Sequence, residues 1–246
     1  MPRLHFPHVP GLLLFTDYFT PNECASLVAE SLALYDRLES AIGNRATEAA
    51  RIPQPEYVRS AAHNLASEER FVRVTLPEGG GRLIRGEYFP RYGEDGHALA
   101  YFQRNANLPD FVARDLAPRV HGLVAGEGLV PPADELVWKL TANFYRREGR
   151  RVAGFPFHVD LPSNGDVTMI LNVQREAQFQ IAKGDAVTDI PLPVGALLLL
   201  SAESRWQWMH RVLPSDVADD AGAGRGGNAD RIGRVSLVLG YRSVTL

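Results

Sequence analysis

The C-terminal half of the chain is built of short runs in which apolar and polar residues alternate. In residues 137–145 the apolar side chains occupy every second position, at Trp138, Leu140, Ala142 and Phe144. This is the period of a half-buried strand, and it places Asn143 and Tyr145 together on the opposite face. Glycine, proline and charged turns separate further runs that predict strands at 166–173, 177–182, 189–193, 196–201 and 234–241.

The N-terminal half contains two helical patterns. Thr20, Pro21 and Glu23 form the start of the first, with Thr20 as N-cap, proline in the first turn and glutamate completing a capping box. We predict that this helix runs from Pro21 to about Tyr35, with its inner face formed by Leu27, Val28, Ser31, Leu32 and Tyr35. A second helix is predicted to begin near Pro109 and to turn inward Phe111, Val112, Leu116, Val120, Leu123 and Val124.

Helices followed by many short strands favour an α+β, mainly β architecture. The economical arrangement is a jelly roll, or double-stranded β-helix, of two facing antiparallel sheets flanked by the N-terminal helices. We expect one domain covering residues 1–246. Residues 214–233, rich in glycine, alanine and aspartate, are predicted to form a flexible insertion.

Residues 37–109 are polar and show few patterned runs apart from 71–76, so we predict an irregular segment with few strands. Long segments of this kind inside a compact domain usually form lids or binding loops. We therefore predict a substrate-recognition lid here, with candidate aromatic contacts at Tyr88, Phe89, Tyr92, Tyr101 and Phe102. The alternative is a small satellite core under a loop.

Composition limits the possible metal ligands, cellular location and binding partners. Cys24 is the one cysteine, so any metal must be bound by histidine and carboxylate, and a reducing compartment is expected. The apolar run 11–15 is too short for a signal sequence or a membrane span, which predicts a cytoplasmic or nuclear protein with no membrane partner. A net charge of −3 argues against bulk electrostatic gripping of duplex nucleic acid. A local basic patch at Arg146, Arg147, Arg150 and Arg151 remains a candidate substrate guide, or else a solvated turn.

His158, Asp160 and His210 are the candidate metal ligands. Two imidazoles and one carboxylate can occupy one face of an Fe(II) ion and leave the remaining positions open for a cosubstrate and dioxygen. Structural zinc sites are closed, in contrast. A His-x-Asp tripeptide is weak evidence alone, so the surrounding segments decide its meaning.

Those segments carry a family resemblance. Taken in order, the residues that carry it are Asn143-x-Tyr145, His158-x-Asp160, His210 and Arg234-x-Ser236. With them, the chain resembles an AlkB-type Fe(II)/2-oxoglutarate dioxygenase from about Trp138 to Tyr241. Residues 193–210 are similar to the strand and turn that end in the distal iron histidine of that family, and residues 10–15 are similar to its usual opening.

The resemblance implies a role for each of these residues. His158, Asp160 and His210 would hold Fe(II), and Arg234 would pair with the distal carboxylate of 2-oxoglutarate, a role that suits a planar guanidinium. Asn143 and Tyr145 would add hydrogen bonds to the same cosubstrate. Ser236 shares a strand face with Arg234, because alternate residues of a strand point the same way.

Three positions, in two segments, depart from the family pattern. The cosubstrate arginine is commonly followed six residues later by a second arginine, but position 240 is glycine here. Arg242 lies on the same strand face and could partly substitute if the strand continues that far. His210 is followed by Arg211 and Val212, where many family members have Gly-Ile, which changes the rim of the site more than its metal ligands.

The implied activity is decarboxylation of 2-oxoglutarate coupled to hydroxylation of a carbon, with formaldehyde released when that carbon is an N-methyl group. The prime substrate is predicted to be a methylated base of a single-stranded or flipped-out nucleic acid. Protein hydroxylation or demethylation is the competitor within the same chemistry. A non-catalytic binding module, and third a zinc or manganese cupin-like enzyme without 2-oxoglutarate, are the alternatives from other classes.

Overall fold

The computed structural model of the chain describes residues 2–43, 49–51, 70–76, 79–86, 97–103, 105–130, 135–160, 162–217 and 231–244. Its strands are β1 (Arg3–His5), β2 (Leu12–Phe15), β3 (Ala49–Arg51), β4 (Arg70–Leu76), β5 (Gly79–Gly86), β6 (His97–Gln103), β7 (Glu135–Glu148), β8 (Arg151–Val152), β9 (Phe155–His158), β10 (Val167–Asn172), β11 (Ala177–Lys183), β12 (Ala186–Leu192), β13 (Ala196–Leu200), β14 (Met209–Val212), β15 (Ser215–Asp216) and β16 (Ile232–Val244). Its helices are α1 (Pro21–Gly43), α2 (Ala117–Gly126) and α3 (Ala202–Trp206), and a π-helical turn at Val112–Leu116 leads into α2.

The strands form two antiparallel sheets. The larger sheet has the order β1-β2-β13-β10-β16-β7-β6-β5-β4-β3, and the smaller has the order β12-β11-β14-β9. From β7 onward the chain passes repeatedly between the two sheets, so that β13-β10-β16-β7 and β12-β11-β14-β9 form the two halves of a jelly roll. The predicted α+β, mainly β fold, a double-stranded β-helix with N-terminal helices, is confirmed.

The larger sheet is covered on both faces. Strand β13 shows this directly, because Leu197 and Leu199 belong to the core shared with the helices, whereas Leu198 and Leu200 belong to the core between the sheets. All five residues of β13 are buried. A strand covered on both sides has no polar face, which explains its uninterrupted apolar sequence.

Strand β7 follows the predicted alternation. Trp138, Leu140, Ala142 and Phe144 all lie in the core shared with the helices. Asn143 and Tyr145 therefore face the other way, and both are buried as well. The other five predicted runs are found as β10, β11, β12, β13 and β16.

Helix α1 begins as predicted but ends later. Thr20 Oγ1 accepts a hydrogen bond from the Glu23 amide at 3.3 Å, and the Thr20 amide donates to Glu23 Oε2 at 2.7 Å, which is the predicted capping box. The predicted end near Tyr35 is wrong, because the helix continues to Gly43. Leu34 and Leu38 are fully buried, so the apolar stripe extends by another turn.

Residues 37–109 also differ from the prediction of an irregular segment with few strands. Their first part belongs to α1, and β3 to β6 add four strands to one edge of the larger sheet. Among the aromatic candidates, Phe102 is buried in the core shared with the helices, which is a packing position. Tyr101 lies in β6, whereas Tyr88, Phe89 and Tyr92 are outside the described residues. Strands rich in glycine, such as β5, carry a weak sequence signal.

The segment 214–233 is described only at its two ends, which form β15 and the start of β16; residues 218–230 of this predicted insertion lie outside the described part. Within the described ranges of the chain, no helix combines the length and the apolar character that crossing a membrane requires.

Candidate metal centre

The two histidines come from neighbouring strands of the smaller sheet. His158 ends β9 and His210 lies in β14, and the two residues are direct partners in the antiparallel register. Opposed residues in such a pair have closely spaced side chains, and here the two imidazole ring centres are 4.2 Å apart. Neither strand was predicted from the sequence, because both are only four residues long. Pro156 within β9 is tolerated because β9 is an edge strand.

Asp160 completes the cluster from two residues beyond β9. Its carboxylate oxygens lie 3.7 Å from Nε2 of His158 and 3.9 Å from Nε2 of His210. The donor atoms of all three residues fall within 4.8 Å of one another. Donors bound at about 2 Å to a shared ion stand at most about 4 Å apart, so the three donors would have to move closer together to hold one metal ion.

The hydrogen bonds around the cluster also fit a metal. Nδ1 of His158 lies 2.8 Å from the carbonyl of Pro156, and since a carbonyl only accepts, Nδ1 must carry the proton. This leaves Nε2 as the nitrogen available for a metal. Among the described residues, nothing donates a hydrogen bond to Oδ2 of Asp160, although this oxygen is buried. A buried carboxylate oxygen without a hydrogen-bond donor costs free energy, and a bound cation would offset that cost.

The pKa shifts of His210 and Asp160 favour the protonation states that bind a metal. Burial lowers the pKa of His210 to about 3, and the charge of His158 acts in the same direction, so His210 is neutral at pH 7. Burial alone would raise the pKa of Asp160, but the two imidazoles and the Arg205 guanidinium outweigh it and hold that pKa well below its usual value. Asp160 therefore supplies the negative charge that offsets a divalent cation.

Aromatic rings fix the orientation of both imidazoles. Phe179 stacks on His210 with ring centres 5.2 Å apart and an interplanar angle of 18°. Phe155 meets His158 edge-on at 4.4 Å and 88°. Phe179 is fully buried between the sheets, so the His210 ring packs against a tightly packed aromatic ring.

The four residues assigned to the cosubstrate by resemblance lie side by side. In the register of β16 with β7, Arg234 is opposite Tyr145 and Ser236 is opposite Asn143. All four are buried. They share the sheet face that looks toward the smaller sheet, because Phe144 and Val235 between them belong to the core on the helix side.

Arg234 has the features of an anion-binding residue. Its guanidinium lies 3.6 Å from the centre of the Tyr145 ring, and it is only 3% exposed. No acceptor for its Nη2 exists in the described part of the chain. Burial lowers the pKa of Arg234, an effect that Tyr145 opposes. A buried guanidinium with an unpaired nitrogen costs free energy, which the carboxylate of a bound 2-oxo acid would recover.

Phe155 connects the residues assigned to the cosubstrate by resemblance with the candidate metal ligands. This residue packs against the small cluster of Tyr145, Val152 and Val217, and its ring also contacts His158. One aromatic side chain therefore contacts both Tyr145 and His158.

Packing accounts for the glycine at position 240. A Cβ at Gly240 would lie 2.2 Å from the carbonyl oxygen of Asn164, which leaves no room for any side chain. Strand β16 does continue through Arg242, as the substitution by that arginine would require, but the Arg242 side chain is exposed rather than inside the site.

Sequence reasoning missed Arg205, which is buried beside Asp160. Its Nη1 donates to the main-chain carbonyl of Asp160 at 3.1 Å, and its Nε donates to the carbonyl of Gly165 at 3.0 Å. The signal available was a single arginine five residues before His210, in a segment that otherwise leads into the metal ligand. A lone charged residue in such a turn is usually read as solvated.

Arginines 146, 147, 150 and 151 surround the turn between β7 and β8, and Arg146 follows Tyr145 directly in the chain. Arg147 and Arg150 each donate to a main-chain carbonyl, of Gly149 and Val217 respectively. This positive charge therefore lies next to Asn143 and Tyr145 in the chain, on a hairpin that is also ordered by its own hydrogen bonds.

No protein-family model and no curated protein matches the chain. Solved structures with a similar shape include a Pseudomonas putida prolyl-4-hydroxylase, at 14% identity and a TM-score of 0.47, covering 95% of this chain and 93% of that one. OsALKBH1 is similar at 14% identity and a TM-score of 0.45, with 95% and 98% covered. The non-haem alpha-ketoglutarate-dependent epimerase SnoN, from nogalamycin biosynthesis, is similar at 14% and 0.45, with 96% and 79% covered. Because these likenesses are distant, the fold assignment rests on the strand order of the two sheets.

Proposed function

We propose that the protein is an Fe(II)- and 2-oxoglutarate-dependent dioxygenase. Two observations support this proposal: three metal-donor side chains lie within 4.8 Å of one another, and Nη2 of the buried Arg234 has no hydrogen-bond partner among the described residues. A zinc or manganese enzyme without a 2-oxo acid would account for the metal donors but would not explain the buried guanidinium of Arg234.

His158, Asp160 and His210 would hold the metal, and Arg234 would bind the distal carboxylate of 2-oxoglutarate with Asn143, Tyr145 and Ser236 around it. When bound, Fe(II) with dioxygen and 2-oxoglutarate supplies the oxidising chemistry, in which one oxygen atom goes to the succinate product and the other to the substrate carbon. The chain's own contribution is to orient the donors and to exclude water. Burial keeps His210 unprotonated, and the rings of Phe179 and Phe155 hold the two imidazoles in place.

We propose a methylated nucleic acid base as the prime substrate, with residues 37–109 contributing to its recognition. The support is the resemblance of the metal and cosubstrate segments to AlkB-type enzymes, together with the positive charge of the β7–β8 turn beside Tyr145. Hydroxylation of an N-methyl group on such a base would release formaldehyde. Single-stranded or flipped-out nucleic acid requires only modest backbone charge, which agrees with a net charge of −3.

Succinate formation tests the chemistry. Protein loaded anaerobically with Fe(II) and 2-oxoglutarate is exposed to air without prime substrate, and Asp160→Ala and His210→Ala are run in parallel. We expect slow succinate release that both substitutions abolish, and circular dichroism establishes that each variant is folded. Full turnover in either variant contradicts the site. Iron and cosubstrate binding without turnover, even with substrates present, would instead indicate a binding module.

Formaldehyde release tests the substrate class. Single-stranded oligonucleotides carrying N-methylated bases and methyl-lysine peptides are compared at equal concentration. We expect formaldehyde from the oligonucleotides and none from the peptides. The reverse pattern would assign the same chemistry to protein, which is the competing function.

A further inference from the structure

The segment that carries Asp160 is held from one side by a single arginine. Arg205 donates from Nη1 to the carbonyl of Asp160 at 3.1 Å and from Nε to the carbonyl of Gly165 at 3.0 Å. The two acceptors mark the beginning and the end of the connection between β9 and β10. Because the bonds come from different nitrogens of one planar group, the guanidinium sets the positions of both ends at once.

Strand β16 holds the same connection from the other side. A Cβ at Gly240 would lie 2.2 Å from the Asn164 carbonyl oxygen, and a Cβ at Gly165 would lie 1.7 Å from the carbonyl oxygen of Tyr241. Gly165 also has a φ of +81°, which side-chain-bearing residues rarely adopt. The connection is therefore packed directly against the strand backbone, and a side chain at position 240 would push it away.

Arg205 is itself held rigidly. It is 1% exposed, and its guanidinium lies 4.2 Å from the ring centre of Trp206. The short helix α3 that carries it starts at a capping box in which the Ser201 amide donates to Ser204 Oγ at 3.0 Å. The Ser204 amide in turn donates to the carbonyl of Pro10 at 2.9 Å, which ties the helix to the N-terminal segment.

We propose that Arg205 is a positioning residue for the metal centre, fixing the Asp160 carboxylate through its main chain. In this arrangement the Arg205 guanidinium also places a positive charge beside Asp160, and glycine at 240 is required because the connection occupies that space. The inference rests on the proposed function, since it takes Asp160 as a metal ligand. Partners that orient a ligand in this way typically change metal affinity about 10- to 100-fold when removed.

Binding of Co(II), a divalent probe that does not react with dioxygen in this assay, tests the role without turnover. Co(II) affinity is measured by calorimetry, and the visible spectrum of the bound ion reports its coordination. We expect Arg205→Met to weaken Co(II) binding about 10- to 100-fold and to alter the spectrum. Arg205→Lys keeps the charge but can reach only one of the two carbonyls, so its affinity should lie between those of Arg205→Met and the unmodified chain.

The control is Arg119→Met, which removes an arginine whose hydrogen bonds go to Glu23 and to the carbonyl of Tyr18, away from the metal donors. We expect it to leave Co(II) affinity unchanged. Circular dichroism establishes that each variant is folded. If Arg205→Met does not fold, Arg205→Lys is decisive, because its folded form must still show weaker Co(II) binding.

A folded Arg205→Met or Arg205→Lys with unchanged Co(II) affinity and spectrum would overturn the positioning role while leaving the proposed function in place. Absence of Co(II) binding by the unmodified protein would remove the proposed function and the inference together. The two failures are therefore distinguishable.

Discussion

Arg234→Met should make the protein more stable and at the same time unable to bind 2-oxoglutarate tightly. The guanidinium is 3% exposed, and within the described residues its Nη2 has no acceptor. Leaving a charged donor in this state costs about 1–3 kcal/mol. Stacking on Tyr145 at 3.6 Å offsets about 0.5–2 kcal/mol of that cost. Methionine has a similar length and no charge, so we expect a net gain of about 1 kcal/mol.

For a chain of 246 residues, such a gain corresponds to a rise in Tm of about 2–4 °C. The effect on 2-oxoglutarate has the opposite sign. Truncating one partner of a buried, hydrogen-bonded charge pair costs about 2–5 kcal/mol, which is about 30-fold to several thousand-fold in Kd.

Scanning calorimetry of metal-free protein measures the first effect, and calorimetric titration of 2-oxoglutarate into Co(II)-loaded protein measures the second. Arg234→Lys is the matched control, because it retains the buried charge and should give no rise in Tm. Unchanged 2-oxoglutarate affinity in Arg234→Met would refute the assignment of this residue to the cosubstrate.

Four further predictions concern the fold. Leu38→Ala should lower the free energy of unfolding in urea by about 2–5 kcal/mol, because Leu38 is fully buried; no change would mean that α1 does not pack beyond Tyr35. Gly240→Ala should destabilise by about 1–3 kcal/mol, because its Cβ would meet the Asn164 carbonyl; a Tm equal to that of the unmodified chain would contradict this packing. Thr20→Ala should cost about 1 kcal/mol by removing the N-cap. The backbone hydrogen bond from Thr20 lowers the pKa of Glu23 below 4.5. The contribution of Glu23 to stability is therefore present above pH 4.5 and is lost as the pH falls. Glu23→Gln should reduce this dependence of Tm on pH in the acid range.

Local patterns in the sequence were sufficient for most of the architecture. Alternation in β7 and the apolar run of β13 predicted strands, and the capping box at Thr20 predicted the start of α1. These features depend on neighbours along the chain, so a single sequence carries them. The end of α1 was misplaced because Leu38 is recognised as an inner residue only when the surface it packs against is known.

For the candidate site, the sequence likewise identifies the residues but not their arrangement in space. The identity of His158, Asp160 and His210 as candidate ligands follows from residue types and spacing. Their convergence does not, because it depends on β9 and β14 pairing so that the two histidines stand opposite each other. These strands are too short to be read from periodicity, and their partnership is set by the topology of the whole jelly roll.

What the sequence determined by itself was the set of chemical groups available: three metal donors, an arginine suited to a carboxylate, and a glycine at position 240. Only the tertiary structure decided how Gly240 and Arg205 relate to Asp160, since these residues are far apart in sequence and meet through main-chain carbonyls. Main-chain contacts carry no residue signature, because every residue has a carbonyl group. They become visible only when packing brings the segments together.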